Sequence, residues 1–300
     1  MSIDTSFQGA KWHSTNLNLD DDEVFNLAQK NNISIHLSKL LVNRKIKTIS
    51  KFINSKLKEN LSITKIAKLR NLDKSISFFE KVKSEKKISI FSDYDVDGAC
   101  AAAICKKFLS QFDIEVNVYI PNRLNEGYGL NLEAIDKILT FSQNILVLDC
   151  GSNNLKEQEY IINQGGQVMI IDHHECELFF DQAIVVNPKT PNDQSELDDL
   201  CATALTFLVL VYLKNENIFP NIDVLQYLDL VALATICDLV PLSEINRSFV
   251  KQGLKVINSD SVNKGIRTLI NQSKIKQQIS EYHLGYILGP RINAGGRMGE

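Results

Sequence analysis

The spacing of apolar residues divides the chain into three regions. Up to about residue 85, apolar residues such as Leu37, Leu40 and Leu41 recur at three- and four-residue steps, which predicts helices. From Lys87, short apolar runs alternate with helical stretches, and from Leu200 helical spacing returns. The pattern predicts a helical lobe, a central α/β region and C-terminal helices.

Five short apolar runs in the central region predict strands: KKISIF, IEVNVYI, NILVLDC, QVMIID and AIVVN. Helical stretches such as GACAAAICKKFLSQF and NLEAIDKILTF lie between them. Because parallel strands need such crossover connections, the predicted fold class is α/β, with a mostly parallel five-stranded sheet flanked by helices. The uninterrupted apolar runs fit strands that are buried on both faces.

The composition is that of an ordinary globular protein. Apolar residues make up 44% and charged residues 23% of the chain, which excludes a disordered tail or a fibrous protein. No run reaches the roughly 18 apolar residues of a membrane span, and the first residues do not resemble a secretory signal. We therefore expect a soluble, cytoplasmic protein that does not act at a membrane.

The charge is unevenly distributed, although the net charge of −3 argues against non-specific coating of nucleic acid. Between Lys39 and Arg70 the chain carries ten Lys or Arg residues and a single acid, Glu59. Two interpretations stay open for this stretch. It is a solvated helical face, or it is a lobe that contacts phosphates beside an acidic centre.

Cysteine and the isolated histidines do not form a recognisable metal motif. The six cysteines include no CxxC pair and lie mostly in apolar runs, so we expect buried free thiols. His13 and His36 fall in the helical lobe and are interpreted as surface or packing residues. His283 stays undecided.

Acidic and histidine side chains gather where the predicted strands end. They are Asp93, Asp95 and Asp97 after the first strand, Asp149 after the third, and Asp172, His173, His174 and Glu175 after the fourth. Asp238 ends a later helical run, ATICDLVPL. Because ligands bind outside the carboxyl ends of parallel strands, we expect the three strand-end groups to converge on one cleft.

So many carboxylates in one cleft repel each other, and two divalent cations would remove that penalty. Carboxylates with an imidazole favour Mn²⁺, with Mg²⁺ as the alternative, over Ca²⁺ or Zn²⁺. Two such ions about 3.5–4 Å apart can activate a water and clamp both oxygens of a phosphoryl displacement. Each motif alone also fits a structural role such as helix capping, but the four together favour a metal site.

Two Gly-rich segments are predicted to hold phosphate. PNRLNEGYGL offers Arg123 and Asn125 on a loop where Gly127 and Gly129 let the backbone approach a ligand. GPRINAGGRMG offers Arg291 and Arg297, with Gly295 and Gly296 exposing N–H groups. Arginine forks match phosphate oxygens bidentately. A tight structural turn is the alternative for each segment.

The motif set DYDVDG, LVLDCGS, IDHHE and DLVPL resembles the DHH phosphoesterase superfamily. The segments NRLNEGYGL, LDLVALATICDLVPL and LGPRINAGGRMGE further resemble the RecJ family of single-strand-specific DNA exonucleases. This resemblance implies a 5′→3′ exonuclease on single-stranded DNA, dependent on two Mn²⁺ ions or on Mg²⁺, in DNA repair and recombination. It also implies a single-strand-binding protein and a helicase as partners, and we expect a monomer.

The resemblance implies roles for individual residues as well. The implied metal ligands and catalytic residues are Asp93, Asp95, Asp97, Asp149, His173, His174 and Asp238. Among them, Asp149 would bridge the ions and His174 would contact the scissile phosphate, with Asp172 orienting the histidines. The implied substrate-binding residues are Arg123, Asn125, Gly127, Tyr128, Gly129, Arg291, Asn293, Gly296 and Arg297.

On the same basis we expect four regions: a helical lobe (1–85), a DHH domain (86–242), a helical connector (243–285) and the start of a truncated C-terminal domain (286–300). The family continues past GRMGE into further domains, so we expect this chain to be a portion whose activity alone is impaired. Two other hypotheses stay open. They are a DHH phosphatase on short oligonucleotides or cyclic dinucleotides, and a non-catalytic fragment that binds metal or DNA.

Overall fold

The structure is a computed structural model that describes residues 9, 11, 20–46, 48–178 and 180–298. His13 lies outside the described residues. The chain divides into two compact units, Met1–Ser55 and Lys56–Glu300.

The first unit contains three helices, α1 (Asp21–Asn31), α2 (Ile35–Asn43) and α3 (Ile49–Ile53). The Asp20 side chain caps α1 by accepting from the first-turn N–H groups. The Ser38 hydroxyl of α2 donates to the Val24 carbonyl of α1 at 2.8 Å, which joins the two helices. His36 is exposed, in agreement with its interpretation as a surface residue.

Three helices open the second unit: α4 (Leu57–Asn60), α5 (Ile63–Ile66) and α6 (Lys74–Glu85). Phe78, Phe79 and Val82 of α6 are fully buried, and the Phe79 ring meets Phe219 edge-on at 6.0 Å. The structure thus groups α6 with the second unit, whereas the predicted lobe extends to residue 85. The apolar face of α6 packs into the core of the second unit, so the division falls at residue 55.

A five-stranded, fully parallel sheet forms the centre of this unit, as the sequence predicts. Its strands are β1 (Lys87–Ser92), β2 (Glu115–Tyr119), β3 (Asn144–Leu148), β4 (Gln167–Ile171) and β5 (Ile184–Val186). They are arranged in the order β2-β1-β3-β4-β5. The chain leaves β1 toward one edge and returns on its other side as β3. The cleft at this reversal is where ligands bind in open α/β sheets.

The crossover connections are α7 (Val96–Leu109) with a 3₁₀ turn at Ser110–Phe112, α8 (Arg123–Glu126), α9 (Leu132–Leu139) and α10 (Leu155–Asn163). Alternate strand residues enter two separate apolar clusters, one on each face of the sheet. Leu146 and Leu148 of β3 point to one cluster, and Ile145 and Val147 to the other. The sheet is thus buried on both faces, as its continuous apolar runs predict.

Helices complete the unit. They are α11 (Ala202–Asn215), a 3₁₀ turn at Val224–Tyr227, α12 (Leu228–Cys237), α13 (Glu244–Ile257), α14 (Lys264–Gln272), α15 (Glu281–His283), a π-helical turn at Leu284–Leu288 and α16 (Gly289–Met298). No helix among the described residues combines the length and apolar character that a membrane crossing requires. All six cysteines are free, five of them buried and Cys237 half-buried.

The predicted boundaries at 242 and 285 do not separate compact units. Gly253 of α13 lies so close to α12 that an added Cβ would come within 2.1 Å of the Leu228 carbonyl oxygen. The boundary at residue 285 falls inside a continuous helical stretch from Glu281 to Met298. Close packing between these helices and the α/β core therefore makes residues 56–300 one unit.

Candidate metal centre

The loop after β1 brings three aspartates to the cleft through a tight turn. Gly98 permits this turn, because an added Cβ would lie 2.4 Å from the Asp93 carbonyl oxygen. Asp95 is the N-cap of α7, and its Oδ1 accepts from the N–H groups of Asp97 and Gly98. The Asp93 Oδ1 atom, in contrast, is buried without a hydrogen-bond partner among the described residues.

Asp97 joins the loop to the start of α11. Its two carboxylate oxygens accept from the N–H groups of Ala202 at 2.6 Å and Thr203 at 2.9 Å. The Thr203 hydroxyl also donates to the Asp97 carbonyl. These hydrogen bonds hold the buried Asp97 carboxylate against the N-terminus of α11.

Asp149 follows β3 in the left-handed conformation, with φ of 62°. Few residues other than glycine adopt this backbone, and it is concentrated at functional sites. Gly151 continues the turn with φ of 100°. The Oδ1 atom of Asp149 is buried without a hydrogen-bond partner in the described part of the chain.

His173 faces three carboxylates at the end of β4. Its Nε2 lies 3.3 Å from Asp149 Oδ1, 3.5 Å from Asp238 Oδ2 and 3.8 Å from Asp97 Oδ2. Neither this nitrogen nor the Asp238 oxygen has a hydrogen-bond partner within the described ranges. Burial lowers the pKa of His173, which favours the neutral imidazole that binds metals.

Asp172 organises the histidines that follow it. Its Oδ1 accepts from the His174 ring Nδ1 at 2.7 Å and from the backbone of His173 and His174, while Oδ2 accepts from Ser152 N–H. Burial by itself would raise the pKa of Asp172, but these bonds and the His174 charge lower it to about 2. The interpretation of Asp172 as a residue that orients the histidines agrees with these bonds.

Asp238 is the C-cap of α12, an unfavourable position for a negative charge next to the carbonyl end of a helix. Burial raises its pKa to about 7, with the Asp97 and Asp95 charges adding to the effect. Burial likewise raises the pKa of Asp93 to about 6 and that of Asp149 well above its ordinary value. Burial therefore disfavours the ionised form of these three carboxylates, and a bound cation would offset that cost.

Three groups of side chains place their ligand atoms within 4.8 Å of one another. They are Asp93, Asp95 and Asp149; Asp97, His173 and Asp238; and Asp149, His173 and His174. The first two groups share no residue, and Asp149 and His173 link them through the third. Buried atoms without partners in both groups fit cations, and the oxygen-rich donors suit Mn²⁺ or Mg²⁺.

A pocket of about 360 Å³ adjoins the first group. It is lined by Asp93, Tyr94, Asp95, Arg123, Tyr128, His174, Asn293 and Arg297. Seven of these residues are predicted from the sequence, and Tyr94 is not. The Arg123 guanidinium lies 5.1 Å from the centre of the Tyr94 ring, and the Tyr128 hydroxyl is 3.5 Å from His174 Nε2.

Other predicted phosphate-binding residues do not line this pocket. Asn125 is exposed on α8, and Gly127 and Gly129 shape the turn beyond it with φ near 80°. Arg291 is exposed and donates to the Ile287 carbonyl one turn back. Gly295 is half-buried within α16.

The expectation that Gly295 and Gly296 expose N–H groups is wrong. GPRINAGGRM forms α16, and a helix interior directs its N–H groups to the preceding turn. Gly296 instead allows close packing, since an added Cβ would lie 3.0 Å from the Tyr94 ring. Asn293 anchors the same helix by accepting from the Val96 N–H.

The sequence patterns did not single out Asn187 as a supporting residue. Asn187 is fully buried and donates to both the Ser152 hydroxyl and the His174 carbonyl, which fixes the loop after β4. Asn187 ends the fifth predicted strand, and this position could have identified it as a candidate site residue. His283 is structural, because its ring Nδ1 accepts from Ser280 N–H at the start of α15.

The DHH family's N-terminal domain matches residues 87–235. A crystal structure of exonuclease RecJ bound to manganese superposes with a TM-score of 0.69 and 31% identity, covering 77% of this chain and 59% of that chain. The chain is a RecJ-like member of the DHH superfamily. The single-stranded-DNA-specific exonuclease RecJ of Thermus thermophilus is 34% identical over 221 residues, 74% of this chain and 32% of that relative.

A second solved RecJ, from Thermus thermophilus in complex with Mn²⁺, superposes with a TM-score of 0.76 over 94% of this RecJ-like chain and 40% of that chain. At 24% identity, it shows the shared fold. This chain spans 32% of the length of the curated Thermus relative. Manganese-bound structures among the relatives accord with the oxygen-rich ligand groups found here.

Proposed function

We propose that this RecJ-like chain provides the catalytic centre of a metal-dependent exonuclease that hydrolyses phosphodiester bonds in single-stranded DNA. The observation that carries the proposal is the set of buried ligand atoms without partners among the described residues: Asp93 Oδ1, Asp149 Oδ1, His173 Nε2 and Asp238 Oδ2. Each such atom costs free energy unless an unseen partner satisfies it. Two divalent cations would satisfy all four.

The metal ligands we propose are Asp93, Asp95, Asp97, Asp149, His173 and Asp238. Asp149 belongs to the first ligand group and meets His173 of the second in the third group, which supports Asp149 as the ligand that both cations would share. When bound, the cations would activate a water and neutralise charge on the scissile phosphate. The chain's own contribution is a rigid arrangement, with Asp95 and Asp97 held by backbone N–H groups.

We propose that His174 acts on the phosphate directly. Its Nδ1 is bound to Asp172, and that hydrogen bond raises the pKa of His174. The ring therefore carries a proton more readily at neutral pH, and His174 is one of the residues that line the pocket. We assign it the role of donating a hydrogen bond or a proton to a phosphate oxygen in the transition state.

Arg123 and Arg297 line the same pocket and are proposed to bind backbone phosphates. Tyr128, which is 59% exposed, is proposed to stack on a base. The relatives' names support single-stranded DNA as the substrate. The family resemblance supports the remaining proposals: 5′→3′ polarity, a role in DNA repair and recombination, a single-strand-binding protein and a helicase as partners, a monomeric state and a cytoplasmic location.

The test is nucleotide release from end-labelled single-stranded DNA with Mn²⁺, for the wild type and for Asp149→Ala. We expect release by the wild type and none by the variant. Asp181→Ala, which removes an exposed acid outside both ligand groups, is the matched control and should retain activity. A wild type that prefers dinucleotides over long strands, or releases nothing, would contradict the proposal.

A further inference from the structure

Two tyrosines form an exposed stacked pair on the helical stretch that leads to the catalytic pocket. Tyr282 and Tyr286 are 61% and 74% exposed, and their ring centres lie 5.2 Å apart at an interplanar angle of 29°. Large aromatic rings left in solvent forgo the free energy of burial. Stacked faces of this kind are what single-stranded nucleic acids use as binding platforms.

Two glycines of the same helical stretch pack closely against α12. Gly285 faces Ile236, where an added Cβ would come within 3.2 Å, and Gly289 faces Cys237, where it would come within 2.4 Å of Sγ. Both partners belong to the last turn of α12, directly before Asp238. The tyrosines are thus positioned relative to a proposed metal ligand by close helix packing.

The start of the stretch is also held firmly. The buried His283 ring accepts from Ser280 N–H through Nδ1 at 3.0 Å and contacts the Gln277 amide through Nε2 at 2.8 Å. The π-helical turn at Leu284–Leu288 follows immediately. Such turns are rare and occur frequently at functional sites. Hydrogen bonds therefore anchor the start of the helical stretch that carries the tyrosines.

The same helical stretch carries two arginines beyond the tyrosines, and the second of them lines the catalytic pocket. Arg291 is exposed one turn beyond Tyr286, and its guanidinium is held by the Ile287 carbonyl at 2.7 Å. Arg297 lines the catalytic pocket eleven residues after Tyr286, about 16 Å along a helix. Aromatic rings followed by arginines match the alternating bases and phosphates of a single strand.

We propose that Tyr282 and Tyr286 form a base-stacking subsite for single-stranded DNA outside the catalytic pocket, with Arg291 contacting the adjacent phosphate. This inference rests on the proposed function for its substrate class. It extends the proposed function by assigning the single-stranded DNA a second binding site on the protein. The subsite would favour long strands over dinucleotides, because a dinucleotide in the pocket cannot reach it.

Binding of fluorescein-labelled oligothymidylate of about 16 nucleotides, measured by anisotropy in EDTA, tests the subsite independently of hydrolysis. The double variant Tyr282→Ala/Tyr286→Ala should bind on the order of tenfold more weakly than the wild type. Tyr282→Phe/Tyr286→Phe keeps both ring faces and should bind like the wild type. Leu225→Ala, which removes an exposed apolar side chain from the 3₁₀ turn at Val224–Tyr227, is the control.

Hydrolysis assays separate the two proposals. With Mn²⁺, the double alanine variant should show a raised KM for long strands and an unchanged kcat/KM for a dinucleotide. Weakened binding in a protein without any nuclease activity would support the subsite and refute the proposed function. Unchanged binding by the double alanine variant would overturn the subsite. So would sedimentation showing that the tyrosines only join two copies of the chain, with DNA binding unaffected.

Discussion

Asp149 Oδ1 and His173 Nε2 lie 3.3 Å apart, and both atoms are buried without a hydrogen-bond partner among the described residues. One belongs to the turn after β3 and the other to the turn after β4. They connect the ligand group around Asp93 with the group around Asp238. A parallel sheet makes this possible, since neighbouring strands deliver their following residues to one edge.

Asp238→Asn should lower the affinity for Mn²⁺ by about tenfold or more while leaving the fold intact. The amide keeps the side-chain volume but removes the charge that attracts the cation. Isothermal titration with Mn²⁺ measures the affinity, and circular dichroism checks the fold. Asp181→Asn serves as the matched control, and an unchanged titration in Asp238→Asn would contradict the ligand assignment.

Affinity for Mn²⁺ should rise as the pH is raised through about 6 to 7 and then level off. Burial raises the pKa of Asp238 to about 7 and that of Asp93 to about 6, so at lower pH the cation must displace protons. Titrations across this range measure the trend. An affinity independent of pH would show that these carboxylates do not bind the ion.

The same pKa values predict how pH affects stability without metal. A carboxylate with a raised pKa in the folded state contributes stability fully below its unfolded pKa of about 4, and that stability is lost as the pH rises through about 7. In EDTA, the melting temperature should therefore fall as the pH rises from about 4 to about 7. The increase in melting temperature on adding Mn²⁺ should therefore be larger at about pH 8 than at about pH 5. Equal increases would contradict this account.

Asp172→Asn should reduce kcat by about 10- to 100-fold, because it weakens the bond that orients and charges His174. The asparagine oxygen can still accept from one donor, so the loop should stay folded. The pH profile of kcat distinguishes this role from simple destabilisation. Because the substitution lowers the pKa of His174, the fall in kcat that accompanies loss of the His174 proton should move to lower pH. A loss of activity without any shift would point to a structural effect.

Arg123→Ala should raise KM for single-stranded DNA by about tenfold or more, with a smaller effect on kcat, because it removes a charged contact to phosphate. The salt dependence of binding should also become shallower. Arg267→Ala is the matched control, since Arg267 is exposed and pairs with Asp260 at 3.8 Å. Equal effects of the two substitutions would argue against a specific role for Arg123.

The strand ends could be predicted because each buried strand is a continuous apolar run that stops at an acid or histidine. Asp93, Asp149 and His173 are therefore visible in the sequence. The contact between Asp97 and the start of α11 is not visible in the sequence, since the partners of Asp97 are 105 and 106 residues away. Only the folded chain brings that helix N-terminus to the carboxylate.

Helix α16 shows where local propensity misleads. GPRINAGGRM contains three glycines and a proline, which favour a loop. The segment is helical because Gly289 and Gly296 permit contacts with Cys237 and Tyr94 that a larger residue would prevent. Tertiary packing also explains why α6 belongs to the second unit although the predicted lobe extends to residue 85, since the core partner of Phe79 is Phe219. These contacts join residues far apart in the chain, so local sequence patterns do not predict them.

The central claim is a two-cation centre shared by the turns after β1, β3 and β4 and the end of α12. Anomalous diffraction from crystals grown with Mn²⁺ tests it most directly. The account predicts two peaks about 3.5–4 Å apart, one contacted by Asp93 or Asp95 and the other by His173 and Asp238, with Asp149 between them. No peak at these residues, or a single peak that Asp149 does not contact, would contradict it.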